Sequence, residues 1–325
     1  MPLLRSAALQ VPSIRRLVEH RDRLLAELEA ERAAHRALEQ DTAGLRQARD
    51  QNRLFVTESA YFPAARPIEI AAGGRQIAAL FRRAEPAIAA TIAGIARHAE
   101  NLARIPRQQD GPLRPHWEND WFPPFDGAAL YGPIAETRPR RLVEVGSGHS
   151  TRFARQAVAD LGLPTRIVSI DPHPHTAVAG LCDETIVRRM EDMPADFWAG
   201  LAPDDIVFID NSHRSFPGSG VTVFFAEVMP ALPPGVIYGI HDIFLPHDYP
   251  TDWNGRFYNE QYLLMTYMLG GGGRDQVLLP VNWAAAQPQL HGLLSPLWNH
   301  AALFGQAGTG GGAYWARRGA AAAAA

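Results

Sequence analysis

The 325-residue sequence has one cysteine, Cys182, so no intrachain disulfide can close and a cysteine-based zinc cluster is excluded. It has no run of about 18 apolar residues, which argues against a spanning helix. Arg5, Arg15 and Arg16 interrupt the start too early for a secretory leader. It also has little net charge: 31 Lys and Arg against 34 Asp and Glu leave a formal −3, which gives no global attraction to nucleic acid or to an anionic membrane. These absences lead us to expect a cytoplasmic chain in a reducing compartment, with no nucleic-acid partner and no membrane span. The rest is ordinary for a globular protein, 46% hydrophobic and 20% charged, and long enough for one large α/β domain with an accessory segment.

Four regions follow along the chain. Residues 1–56 are dominated by a stretch rich in Ala, Leu, Glu and Arg, without proline from Ser13 to Arg53, which predicts one long helix with Ser13 as N-cap. Leu17, Leu24, Leu38 and Leu45 keep a seven-residue spacing, but Glu31 fills the missing position. This broken heptad leaves two readings open, a solvated helix and a coiled coil through which the chain could form a homo-oligomer. Residues 57–118 read as a helical accessory segment: Ile77, Leu80, Phe81, Ala84, Ile88, Ile92 and Ile95 follow helical spacing, and Pro86 marks a break or a new start. Residues 119–318 alternate strand and helix signals, and 319–325 read as a disordered tail. Gly270–Gly273 reads as a flexible turn.

In the third region, Arg141–Val145, Arg166–Ile170, Glu184–Val187, Asp205–Ile209 and Gly235–Ile240 are short apolar runs separated by helical segments, with Ala313–Trp315 as a candidate last strand. Buried strands alternating with helices imply a mostly parallel, doubly wound, Rossmann-like sheet. Ligands of such sheets sit at the carboxyl ends of the strands, and there the polar clusters of this sequence fall.

The first cluster is Glu144-Val-Gly146-Ser147-Gly148-His-Ser-Thr151, a glycine turn between a strand and a helix. Glycines allow the tight turn and let a ligand approach the backbone, and the helix start presents free N–H groups. Asp171 ends the next strand, where a carboxylate can accept from both hydroxyls of a ribose. Glu144 is placed to face the amino group of a methionine moiety. A dinucleotide fingerprint would carry a third glycine where Thr151 stands. The segment Val143–Thr151 resembles motif I of class I S-adenosylmethionine (SAM)-dependent methyltransferases. That resemblance assigns the cofactor to Glu144, Gly146, Ser147, Gly148, Thr151 and Asp171, and makes Glu191 and Asp192 the counterparts of an adenine-contacting residue.

The second cluster combines Asp210 and His213 after the fourth strand with His241 and Asp242 after the fifth. If the strands are neighbours, Asp210, His241 and Asp242 converge as donors for a divalent ion, Mg²⁺ or Mn²⁺. Such an ion lowers the pKa of a substrate hydroxyl, and His213 is placed to take its proton. The spacing is similar to that of metal-dependent O-methyltransferases, including catechol and macrolide-sugar types. This likeness implies Asp210 and Asp242 as metal ligands and His213 as base, although the macrolide-sugar relatives carry a carboxylate where His241 stands. The segment from His241 to Tyr262 also resembles a bacterial branch associated with glycan and natural-product modification. Arg214, Arg256, Tyr249, Trp253 and Tyr258 are candidates for holding the acceptor. The expected function is therefore O-methylation of a sugar, glycan or secondary-metabolite hydroxyl. An NAD(P)-dependent oxidoreductase and a non-catalytic SAM-binding scaffold that pairs through its first helix remain open alternatives.

Overall fold

A computed structural model describes residues 12–51, 56, 58–271 and 275–320, which separate into two compact units, Met1–Phe62 and Pro63–Ala325. The expected tail beyond Ala320 and part of the Gly270–Gly273 turn lie outside the described residues. In the first unit, α1 runs from Pro12 to Asp50. Ser13 lies inside this helix rather than capping it. Proline fits the first helical turn, where its missing N–H would have no partner. Leu17, Leu24, Leu38 and Leu45 are exposed.

The second unit is built on a seven-stranded sheet in the order β3-β2-β1-β4-β5-β7-β6. The strands are β1 (Arg141–Val145), β2 (Arg166–Ile170), β3 (Glu184–Ile186), β4 (Ile206–Ile209), β5 (Ile237–Ile240), β6 (Gln276–Pro280) and β7 (Tyr314–Arg317). The first five pair in parallel, and β7 runs antiparallel to both β5 and β6. The expected mostly parallel Rossmann-like α/β sheet is therefore present, with β6 as a strand that the sequence pattern did not announce. Its apolar stretch, Val277–Leu279, is short and ends at Pro280, and only Leu279 and Pro280 of β6 are buried. The chain reverses its direction of sheet growth between β1 and β4, and the crevice at that switch point is where such sheets bind ligands.

The helix α2 (Ala72–Ala96) passes through Pro86 without ending. Pro86 is exposed, so the carbonyl it leaves unpaired faces water, and the buried Ile77, Phe81, Ile88, Ile92 and Ile95 hold both halves against the sheet. The accessory segment thus contributes to the same core as the strands. Further elements that matter below are α3 (Pro124–Thr137), α4 (His149–Asp160) and α5 (Glu260–Leu269). Among the described residues no helix is long and apolar enough to cross a membrane.

The centre of the sheet is filled by Phe208 and Trp315, whose rings stack at 5.3 Å. Gly239 of β5 lies beneath them, and a Cβ there would meet both rings at 2.8 Å. Gly239→Ala should overpack this layer and cost about 1–3 kcal/mol, read as a lower urea midpoint at unchanged m-value. An unchanged midpoint would mean that the rings have room to move aside.

Candidate active site

The turn after β1 is forced by close packing. Gly146 has φ 84, and a Cβ on it would stand 2.0 Å from the backbone oxygen of Asp210. The carboxyl ends of β1 and β4 can approach this closely only with glycine. The turn is then tied from two sides. Asp171 accepts from the Ser147 N–H at 3.0 Å and from its hydroxyl at 2.8 Å, while Gly148 donates to Thr151 Oγ1 at 3.0 Å. Thr151 in turn donates to Glu144. A cleft of about 200 Å³ opens here, lined by Trp121, Phe122, Gly146, Ser147, Gly148, His149, Ser150, Asp171 and Asp210.

Glu144 is fully buried, and its Oε1 has no hydrogen-bond partner. Burial lifts its carboxyl to about 7, against the hydrogen bonds from Ser150 and Thr151. Glu191 and Asp192 do not line the cleft. Asp192 pairs with Arg189 at 2.8 Å, and Glu191 lies beside Gly220 and Asn211.

The second cluster does converge. His213 Nε2 is 3.3 Å from Asp210 and 3.4 Å from Asp242. His241 Nδ1 is 3.4 Å from Asp210 and 3.5 Å from Asp242. The far nitrogen of each ring meets a carboxylate that sequence reasoning missed. His213 Nδ1 meets Glu260 at 2.9 Å, and His241 Nε2 meets Asp126 at 3.2 Å. Asp126 sits on α3 and also accepts from the backbone N–H groups of Gly312 and Ala313 at 2.8 Å. Both acids are fully buried, and a carboxylate at such a position needs partners. His213 and Asp242 also carry positive φ, 54 and 57. Non-glycine residues seldom adopt such values, which cluster at functional sites.

Charge follows from this geometry. Burial opposes ionisation of Asp210, but the His241 charge and the His213 hydrogen bond outweigh it and hold the carboxyl below its usual range. Burial disfavours the His213 imidazolium as well, yet Asp210 and Glu260 lift it to about 10. His241 is raised by Asp210 and Asp242 despite its burial. Burial raises Asp242. Among the described residues no group of three or more His, Cys, Asp or Glu side chains stands as a formed metal centre; these four groups pair with one another. Beside them stand Tyr258, 4.7 Å from the His213 ring, and Trp253 with the Arg256 guanidinium 3.9 Å from its ring centre. Arg214 lies 5.2 Å from the Tyr258 ring centre.

Glu144 supplies a test of the cleft's electrostatics. With its folded pKa raised, its contribution to stability is present at low pH and is lost as pH rises from about 4.5 to about 7. Glu144→Gln should remove this loss, so the variant gains on the parent by about 3 kcal/mol between pH 4 and pH 8. Urea unfolding across that range measures it, and a pH-independent difference between the two proteins would refute the raised pKa.

Residues 143–243 match the family model described as a methyltransferase domain. No curated protein sequence matches the chain. Among solved structures, the O-methyltransferase TomG from Streptomyces achromogenes is 18% identical, over 60% of this chain and 79% of that one, with a TM-score of 0.36. The Podospora anserina methyltransferase PaMTH1 is 16% identical, over 70% and 88%, with a TM-score of 0.36. The MycE methyltransferase of mycinamycin biosynthesis, in complex with Mg, SAH and mycinamycin VI, is 19% identical, over 57% and 47%, with a TM-score of 0.29. At scores this low the likenesses carry no inference about this chain. The family match spans the stretch from β1 to just past β5, and within it lie the glycine turn, Asp171, Asp210, His213, His241 and Asp242. Over residues 143–243 the chain is thus similar to a methyltransferase domain.

Proposed function

We propose that this protein transfers the methyl group of SAM to a hydroxyl oxygen, with the cofactor in the cleft over the glycine turn and the acceptor beside His213. The observation that carries the reading is the continuity of the two clusters: Asp210 lines the cleft and also pairs with His213 and His241. On this reading the methyl donor and a proton-handling group share one site, and much of the rate comes from aligning the acceptor oxygen with the methyl carbon.

The residues fit the cofactor. Glu144 offers a buried, unpartnered carboxylate oxygen for an ammonium group. Asp171 already accepts from Ser147 and His173, and a carboxylate has further lone pairs for ribose hydroxyls. Gly146, Ser147, Gly148 and Thr151 form the turn beneath; Glu191 and Asp192 are kept as the proposed adenine-side residues, with the Asp192 carboxylate paired to Arg189.

A divalent ion is part of the proposal. The donors suit it: Asp210, Asp242 and His241, whose far nitrogen is oriented by Asp126 as metal-bound imidazoles commonly are by a carboxylate. The 3.3–3.5 Å separations among them and His213 exceed those of charge-assisted hydrogen bonds. Such an ion, held by Asp210, Asp242 and His241, would polarise the acceptor oxygen. We assign the hydroxyl proton to His213 Nε2, with Glu260 orienting the ring through Nδ1. For the acceptor we infer a sugar or glycan hydroxyl, and next a secondary-metabolite hydroxyl. Trp253 and Tyr258 present half-buried rings for it, with Arg256 and Arg214 beside them.

Calorimetric titration with SAM, followed by a hydroxyl-acceptor screen beginning with sugars and run with Mg²⁺ and with a chelator, tests this reading. Asp242→Asn should lower kcat about 100-fold or more while the SAM Kd changes little. Chelation should silence the parent and spare SAM binding. Full activity of Asp242→Asn would remove the second cluster from the chemistry.

A further inference from the structure

The first unit of the chain has no part in the chemistry above, and its helix has no packed face. None of the 39 residues of α1 is buried. Ile14, Leu17, Leu24, Leu28, Leu38 and Leu45 are each between 38% and 68% exposed. In water a helix gains most of its stability by packing an apolar face against something else. Exposed aliphatic side chains in such a row therefore call for a cover.

The six lie on one seam. The row Leu17, Leu24, Glu31, Leu38 and Leu45 repeats every seven residues, and a second row, Ile14, Arg21, Leu28, His35 and Thr42, runs three positions ahead of it. Together the two rows alternate by three and four residues, the spacing that keeps one helix face against a second helix. The Glu31 that interrupts the leucines thus has a counterpart of opposite sign on the same seam, Arg21.

These two charges select what covers the seam. Arg21 pairs with its neighbour Asp22 at 2.6 Å, with both side chains more than half exposed, and such a contact is worth little. A parallel copy in register would set Arg21 against Arg21 and Glu31 against Glu31, where like charges are costly. An antiparallel copy centred between Leu24 and Leu28 sets Arg21 against the partner's Glu31, twice by symmetry. The same register sets Leu24 against the partner's Leu28, Ile14 against the partner's Leu38 and Leu17 against the partner's His35. Neighbouring antiparallel registers set Arg21 against a leucine at position 24, 38 or 45, and a buried charge without a partner is strongly disfavoured. We propose that α1 pairs with α1 of a second copy of this chain as an antiparallel coiled coil, in the register that joins Arg21 to the partner's Glu31. This inference is independent of the methyl-transfer reading.

Sedimentation equilibrium on the full-length protein tests it. The parent should be a dimer at micromolar concentration. Arg21→Glu and Glu31→Arg should each raise the dimer Kd about 10- to 100-fold, because each turns two attractive contacts into like-charge ones. The double variant carrying both reversals restores the contacts with signs exchanged and should recover most of the parent's affinity. Circular dichroism checks that α1 stays helical in the single variants, and recovery in the double variant separates pairing from an effect on the helix itself. A parent that sediments as a monomer or a trimer would overturn the proposal. Single reversals without effect would overturn it in favour of a parallel pair or of contacts elsewhere in the chain. Single reversals that weaken the dimer with no recovery in the double variant would rule out the pairing of Arg21 with Glu31, and with it the antiparallel register.

Discussion

The close approach of Gly146 to the backbone oxygen of Asp210 is the constraint on which the site depends. It joins the carboxyl end of β1 to that of β4 at the point where the sheet reverses its growth. With a side chain at residue 146 the two ends would separate, and the cleft would lose contact with the acid cluster. Because Asp210 belongs to both, one backbone contact sets the distance between the glycine turn and the groups around His213.

A second layer keeps those groups in place. Asp126 from α3 and Glu260 from α5 reach the far nitrogens of His241 and His213. Each is buried, so neither can be hydrated, and each fixes the orientation of one ring. Asp126 also receives the chain at Gly312 and Ala313, just before β7, the strand that inserts antiparallel beside β5. The odd strand of the sheet and the histidine of the site are thus held by one carboxylate, which couples completion of the fold to assembly of the site.

Much of this was legible in the sequence where the signal is local. Mostly apolar runs marked β1, β2, β4 and β5, because strands buried on both faces are built largely from apolar side chains. The glycine turn and the acids at strand ends followed from backbone geometry that few residues can adopt. The sequence alone thus determined a Rossmann-like sheet, the turn over its first strand, and the residue types at its carboxyl edge. Only tertiary structure decided that β4 and β5 are neighbours, so that Asp210, His213, His241 and Asp242 meet, and that Asp126 and Glu260 stand behind them. Those partners come from segments dozens of residues apart, and no periodicity within a segment records which distant side chain will face it across the core.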